Sequence, residues 1–200
     1  MAGPSLPNIL HIIGPSFAGK TTFIRHHLHN FPLFDTREFY RSLGPTGRDQ
    51  FHHAPIQQRA AIFEQAIVDL MTRDNNQSNV IVVESSGTNK TLDYLFRKNQ
   101  YPIYTLLIWT PEREIKNRIF KKARDAGINP AQRYAMTQYF KQQIGFDPLD
   151  LLRYWNTRFY ARTVHFNARC ITTTNPPTYI PNIRLDDLLE QGTLTVESLI

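Results

Sequence analysis

Eight consecutive residues, Gly14-Pro15-Ser16-Phe17-Ala18-Gly19-Lys20-Thr21, fit the pattern G-x-x-x-x-G-K-[ST]. A loop of this composition holds the phosphates of a nucleoside triphosphate. Its glycines let the backbone turn tightly, so that successive N–H groups converge on phosphate oxygens. Lys20 can reach the β- and γ-phosphates, and the Thr21 hydroxyl can ligate Mg²⁺. Gly14 to Thr21, with Thr22 beside them, are therefore the candidate residues for binding ATP.

The pattern means little without a strand before it and a helix after it. Asn8 to Ile13 is a short, mostly apolar run, as a buried parallel strand requires. Thr22 to Leu28 places Phe23, Ile24, His27 and Leu28 near one helical face. The helix then points its N-terminus, with its dipole and free N–H groups, at the phosphates.

Three further groups bear on what happens to the γ-phosphate. Glu84 directly follows the apolar run Val80 to Val83. A carboxylate at the carboxyl end of a strand beside the loop strand can hold Mg²⁺ or its waters. Ser85-Ser86-Gly87-Thr88-Asn89 follows it, and Ser86 and Asn89 are candidate substrate contacts. The second group is Asp35-Thr36-Arg37-Glu38-Phe39-Tyr40-Arg41, after a short strand at Leu33-Phe34. The third is the basic run Arg113 to Arg124, after the apolar run Tyr104 to Trp109.

With these residues the chain resembles the P-loop kinases that include polynucleotide 5′-kinases, zeta-toxin-type kinases and nucleoside monophosphate kinases. The resemblance covers roughly residues 8 to 125. It implies an acid three positions before an arginine just past the second strand. The acid orients or deprotonates the acceptor hydroxyl, and the arginine binds the acceptor's phosphate. Glu38 and Arg41 have that spacing, and Tyr40-Arg41 looks most like the polynucleotide kinases. Asp35 is the rival acid, because it lies nearest the strand end. The resemblance also implies a lid of about 111–130 that carries arginines over the phosphates, with Arg118 and Arg124 foremost and Arg113 and Lys122 behind them. A weaker echo at Thr174-Asn175-Pro176 makes Asn175 a candidate adenine contact.

Composition narrows the acceptor. The 200 residues suit one domain, and 41% hydrophobic residues can build its core. The formal net charge of +6 exceeds what a phosphate site alone needs, which favours a nucleic acid or nucleotide acceptor. No run approaches the ~20 apolar residues of a membrane span, and no signal peptide is evident. The single cysteine, Cys170, excludes an internal disulfide and fits a reducing compartment, hence the cytoplasm. His26, His27, His29, His52 and His53 lack the closed four-ligand set of a structural zinc site.

Apolar runs alternating with helical patterns predict a three-layer α/β/α fold with a mostly parallel sheet and a helical lid. Helices are expected at Pro55–Arg73, Thr91–Lys98, about 111–125, Pro130–Ile144 and Pro148–Thr163, with a final strand at Asn167–Thr174 and a short helix near Leu185–Leu189. Ser42–Ala54 reads as a long binding loop. Thr110 reads as the cap of the helix that follows it. The region 132–164 is rich in aromatics interleaved with arginines. It can be a base-stacking surface or, more ordinarily, helix-packing core.

Two other functions are weaker fits. A regulatory GTPase needs D-x-x-G and N-K-x-D, but Glu84 and Leu92 stand where the aspartates should be. A nucleic-acid-stimulated ATPase usually needs a larger scaffold and an arginine from a neighbouring subunit.

Overall fold

In the computed structural model, the described residues are 7–73, 79–165 and 169–172. Strands β1 (Asn8–Ile13), β2 (Leu33–Asp35), β3 (Val80–Glu84), β4 (Ile103–Trp109) and β5 (Arg169–Thr172) form one sheet in the order β2-β3-β1-β4-β5. Every neighbouring pair is parallel. The helices are α1 (Lys20–His27), α2 (Thr36–Ser42), α3 (Gly44–His53), α4 (Ile56–Arg73), α5 (Lys90–Asn99), α6 (Glu112–Asp125), α7 (Arg133–Ile144) and α8 (Pro148–His165).

Strand alternation sends successive side chains to opposite faces, and both faces are covered. On one face, Leu10, Ile12, Val82 and Ile108 pack with Phe23 and Ile24 of α1, Ile115 and Ile119 of α6, and Phe140 of α7. On the other, Ile9, Ile81 and Val83 pack with Phe63 and Ile67 of α4 and Leu92 and Leu95 of α5. Helices on both faces of a parallel sheet make the three-layer α/β/α fold. The near-continuous apolar character of β1 and β3 follows from this double burial. Among the described residues, no helix is long and apolar enough to cross a membrane.

Two local expectations need correction. Residues 44–53 are not a loop but α3, with Pro45 in its first turn. Proline fits there because the missing N–H would have no helical partner and its fixed φ suits the helix. Thr110 does not cap α6. Pro111 occupies the cap position without a side-chain bond, and the buried Thr110 hydroxyl donates to the Ala18 carbonyl at 2.8 Å. The expected helix near Leu185–Leu189 lies outside the described residues.

The aromatic-rich region 132–164 contributes largely to packing. Trp155 and Phe140 are fully buried, whereas Tyr134 is exposed. Trp155 packs on Ile13 and Leu107. Its Nε1–H donates to the Ser86 carbonyl at 2.9 Å, so α8 fixes the turn that follows β3.

Candidate functional site

The carboxyl ends of β1, β2 and β3 meet at one edge of the sheet, with Asp35 in register with Glu84 and Glu84 in register with Ile12. Ligands of open parallel sheets bind at this edge. The loop from Gly14 to Gly19 crosses it. Gly14 has φ +141°, and a Cβ there would stand 2.3 Å from the Ile108 carbonyl oxygen, so only glycine fits. Gly19 (φ +99°) and, without a glycine's freedom, Phe17 (φ +67°) also take left-handed conformations. Backbone strain of this kind concentrates at functional sites. The loop is gripped from outside. Thr110 binds the Ala18 carbonyl, Arg118 Nη1 donates to the Phe17 carbonyl at 2.9 Å, and the Phe17 ring packs edge-on against Phe140.

Lys20 folds back over the loop, donating from Nζ to the carbonyls of Gly14 and Pro15, each at 3.0 Å. Burial lowers its pKa to about 8, with Glu84 acting in the opposite direction. Thr21 Oγ1 donates to the Glu84 carboxylate, 3.1 Å from each oxygen. Burial raises the Glu84 pKa, while Lys20 and Arg37 oppose that shift. A hydroxyl and a carboxylate joined at the loop's end are a suitable partial oxygen set for Mg²⁺, which commonly takes few protein ligands and completes its shell with water and phosphate. The loop, Lys20 and this pair therefore fit a nucleoside triphosphate with its Mg²⁺.

Arg37 binds the same pair. Its Nη2 lies 2.9 Å from Thr21 Oγ1, 3.1 Å from Glu84 Oε1 and 3.0 Å from Asp35 Oδ2. Burial works against its charge, but Glu84 and Asp35 more than offset this and raise its pKa. Asp35 caps α2 by accepting from the Arg37 N–H at 2.8 Å. Behind the strand ends, the Ser85 hydroxyl accepts from Gly87 N and lies 2.8 Å from His11 Nε2. The His11 tautomer sets which of the two donates, and burial keeps His11 neutral by lowering its pKa to about 3.

A cleft of about 850 Å³ opens from Lys20 and Glu84. Ser16, Arg41, Ser86 and Asn89 line it. Asn89 Oδ1 caps α5 by accepting from the N–H groups of Thr91 and Leu92, and its Nδ2 donates to the Tyr40 hydroxyl at 3.3 Å. Asp35 is not among the lining residues and is tied to the cleft only by its ion pair with Arg37, which lines it. Glu38 and Arg124 are exposed and are not among the residues lining it. The 111–130 segment consists mainly of α6, docked through the buried Ile115, Ile119 and Ala123. Gln142 to Phe146, at the end of α7, also line the cleft. Asn175 lies outside the described residues.

Sequence reasoning missed Arg37, Arg48, His52 and Arg59. Arg48 and His52 are four apart and share a face once α3 is a helix; reading that segment as a loop concealed them. Arg59 precedes the inward-facing Ala60 on α4, and nothing in its spacing marks it out.

Neither a protein-family model nor a curated protein matches the sequence. Solved structures give distant likenesses. A proposed kinase from Chloroflexus aurantiacus J-10-fl is 13% identical, with a TM-score of 0.48, over 99% of this chain and 100% of its own. An uncharacterised protein from Eubacterium ventriosum ATCC 27560 is 13% identical, with a TM-score of 0.42, over 96% of this chain and 99% of its own. TT1252 from Thermus thermophilus is 13% identical, with a TM-score of 0.42, over 98% of this chain and 100% of its own. At this distance none of them assigns a chemistry to this chain.

Proposed function

We propose that this chain is a P-loop kinase transferring the γ-phosphate of ATP to a hydroxyl of a nucleic acid, either a 5′ end or a hydroxyl borne on a base. The observation that carries the reading is the continuity of the cleft. Ser16 of the phosphate loop, Lys20 and Glu84 line the same cleft as Arg37, Arg41, Arg48 and Arg59. A triphosphate donor and an anionic acceptor can then lie in one enclosure, as in-line transfer requires.

Lys20 and the loop N–H groups hold the β- and γ-phosphates. Thr21 and Glu84 would hold Mg²⁺, which would neutralise charge on the phosphates. Arg118 fixes the loop through Phe17. Arg41 binds the acceptor. Asp35 orients the acceptor hydroxyl and takes its proton late. It is favoured over Glu38 because it ends β2 in register with Glu84, whereas Glu38 lies one turn along on the exposed side. Arg37, joined to both Asp35 and Glu84, is placed to answer to both substrates.

A small acceptor, such as a nucleoside, nucleotide or sugar-nucleotide, is the second reading, favoured by the bounded volume of the cleft. The test offers γ-labelled ATP with 5′-hydroxyl DNA and RNA, DNA with hydroxymethylated bases, nucleosides and nucleoside monophosphates. Label on a polynucleotide is the expected result. Label only on small molecules would replace the first reading with the second. Asp35→Asn should lower the rate far more than Glu38→Gln; the reverse would exchange their roles.

A further inference from the structure

The cleft wall away from the P-loop holds more positive charge than the chemistry above uses. Six cationic side chains line the cleft, namely Lys20, Arg37, Arg41, Arg48, Arg59 and Lys90, against one carboxylate, Glu84. Lys20 serves the loop, and Arg37 is paired with Asp35 and Glu84. Among the described residues, Arg41, Arg48, Arg59 and Lys90 form no ion pair.

Arg59 is the most telling. Its Nε is buried and meets no acceptor among the described residues. A buried N–H without an acceptor is costly, and each such case in a folded protein needs an explanation. Arg48 comes from a different helix. Its Nε donates to the Tyr40 carbonyl at 3.4 Å, and its Nη1 stands 3.9 Å from the Cβ position of Gly145 across the cleft mouth. Between these arginines, the rings of Tyr40 and His52 stack with centroids 5.4 Å apart and planes 21° apart, and both residues line the cleft. Guanidinium groups beside an aromatic platform suit phosphates joined to a base.

We infer that Arg48 and Arg59 form a second phosphate subsite, distinct from Arg41, so that the acceptor is an oligonucleotide presenting at least two phosphodiesters. One phosphodiester carries a single negative charge and would leave most of this wall uncompensated. The inference rests on the kinase reading for the identity of the neighbouring site. The subsite itself can be tested without turnover.

The experiment measures fluorescence anisotropy of a labelled 5′-hydroxyl tetranucleotide, with ADP affinity measured in parallel and folding checked by thermal melting. Arg48→Gln and Arg59→Gln should each weaken oligonucleotide binding about tenfold, as loss of a charge-assisted pair does, and leave ADP affinity within about twofold. Arg59→Lys, which keeps the charge, should fall between. Loss of one contact should also reduce the slope of log affinity against log salt by about 0.7. A tetranucleotide with methylphosphonates at its first two linkages should bind the native protein more weakly than either glutamine variant binds the normal one, because it gives up the Arg41 contact as well. Unchanged oligonucleotide affinity in folded variants that bind ADP would overturn the subsite. No binding of the tetranucleotide by native protein that binds ADP would overturn the strand assignment. Failure of the native protein to bind ADP would instead overturn the kinase reading.

Discussion

Arg37 Nη2 lies 3.1 Å from Glu84 Oε1, joining the first turn of α2 to the end of β3 across 47 positions of sequence. The same nitrogen reaches Thr21 and Asp35. One guanidinium therefore compensates two buried carboxylates, which are only 6% and 2% exposed.

Removing Arg37 should destabilise the protein by about 1–2 kcal/mol. That is the range for charge-assisted hydrogen bonds, discounted because the arginine is 42% exposed. For a chain of this size the melting temperature of Arg37→Ala should fall by roughly 2–8 °C. The loss should shrink when Asp35 is already Asn. An unchanged melting temperature would mean that the bridge adds nothing to stability.

Lys20 has its pKa lowered by burial to about 8. In its proposed role it binds phosphate as a cation, so nucleotide affinity should fall as pH rises through 8, by up to tenfold per unit. Lys20→Arg stays charged over that range and should flatten the profile, whatever its affinity at neutral pH. Isothermal titration with ADP between pH 6.5 and 9.5 checks this.

His11 is buried and neutral, with a pKa of about 3 against an ordinary value of 6.5. The unfolded chain therefore binds a proton that the folded chain refuses between those values. The stability this group contributes is present above about 6.5 and is lost progressively as pH falls toward 3, at no more than ~1.4 kcal/mol per pH unit. His11→Gln should make the acid limb of a stability-versus-pH curve shallower by one proton. A limb of equal slope would contradict the assignment.

Gly87 has φ +70°, and a Cβ there would stand 2.7 Å from Trp155 Cζ2 and 3.2 Å from Ile13 Cβ. Gly87→Ala must displace Trp155 and disturb its bond to Ser86, besides costing about 1–2 kcal/mol in the backbone. A lower melting temperature and a red-shifted tryptophan emission are expected. Unaltered emission would mean that the turn yields without moving α8.

The strand, loop and helix from Asn8 to His27 were legible because apolar run, glycines and helical face agree over a short span. β3 was legible as an uninterrupted apolar run ending in a carboxylate. α3 was not. Gly44-Pro45 and Gly47 resemble turn signals, and the same proline serves equally well in a first helical turn. With α3 hidden, Arg48 and His52 had no common face. Arg37 was obscured differently, since its partners Thr21 and Glu84 are 16 and 47 positions away and only the sheet order brings them together. Thr110 carried a sound capping signal, but its hydroxyl is used by the Ala18 carbonyl of the Gly14–Gly19 loop instead. In each case a tertiary contact selected among local meanings that the residue alone left open.

In the proposed reaction, Lys20 and its loop hold a triphosphate whose terminal phosphate moves to a nucleic-acid hydroxyl. The most direct measurement is transfer of label from γ-labelled ATP to a 5′-hydroxyl oligonucleotide or one with hydroxymethylated bases, for the native chain and for Lys20→Ala with its fold verified. Label on the oligonucleotide from the native chain, with a loss of at least ~100-fold in Lys20→Ala, is the predicted result. Equal transfer by both proteins, or no transfer by the native chain to any hydroxyl acceptor, would contradict it.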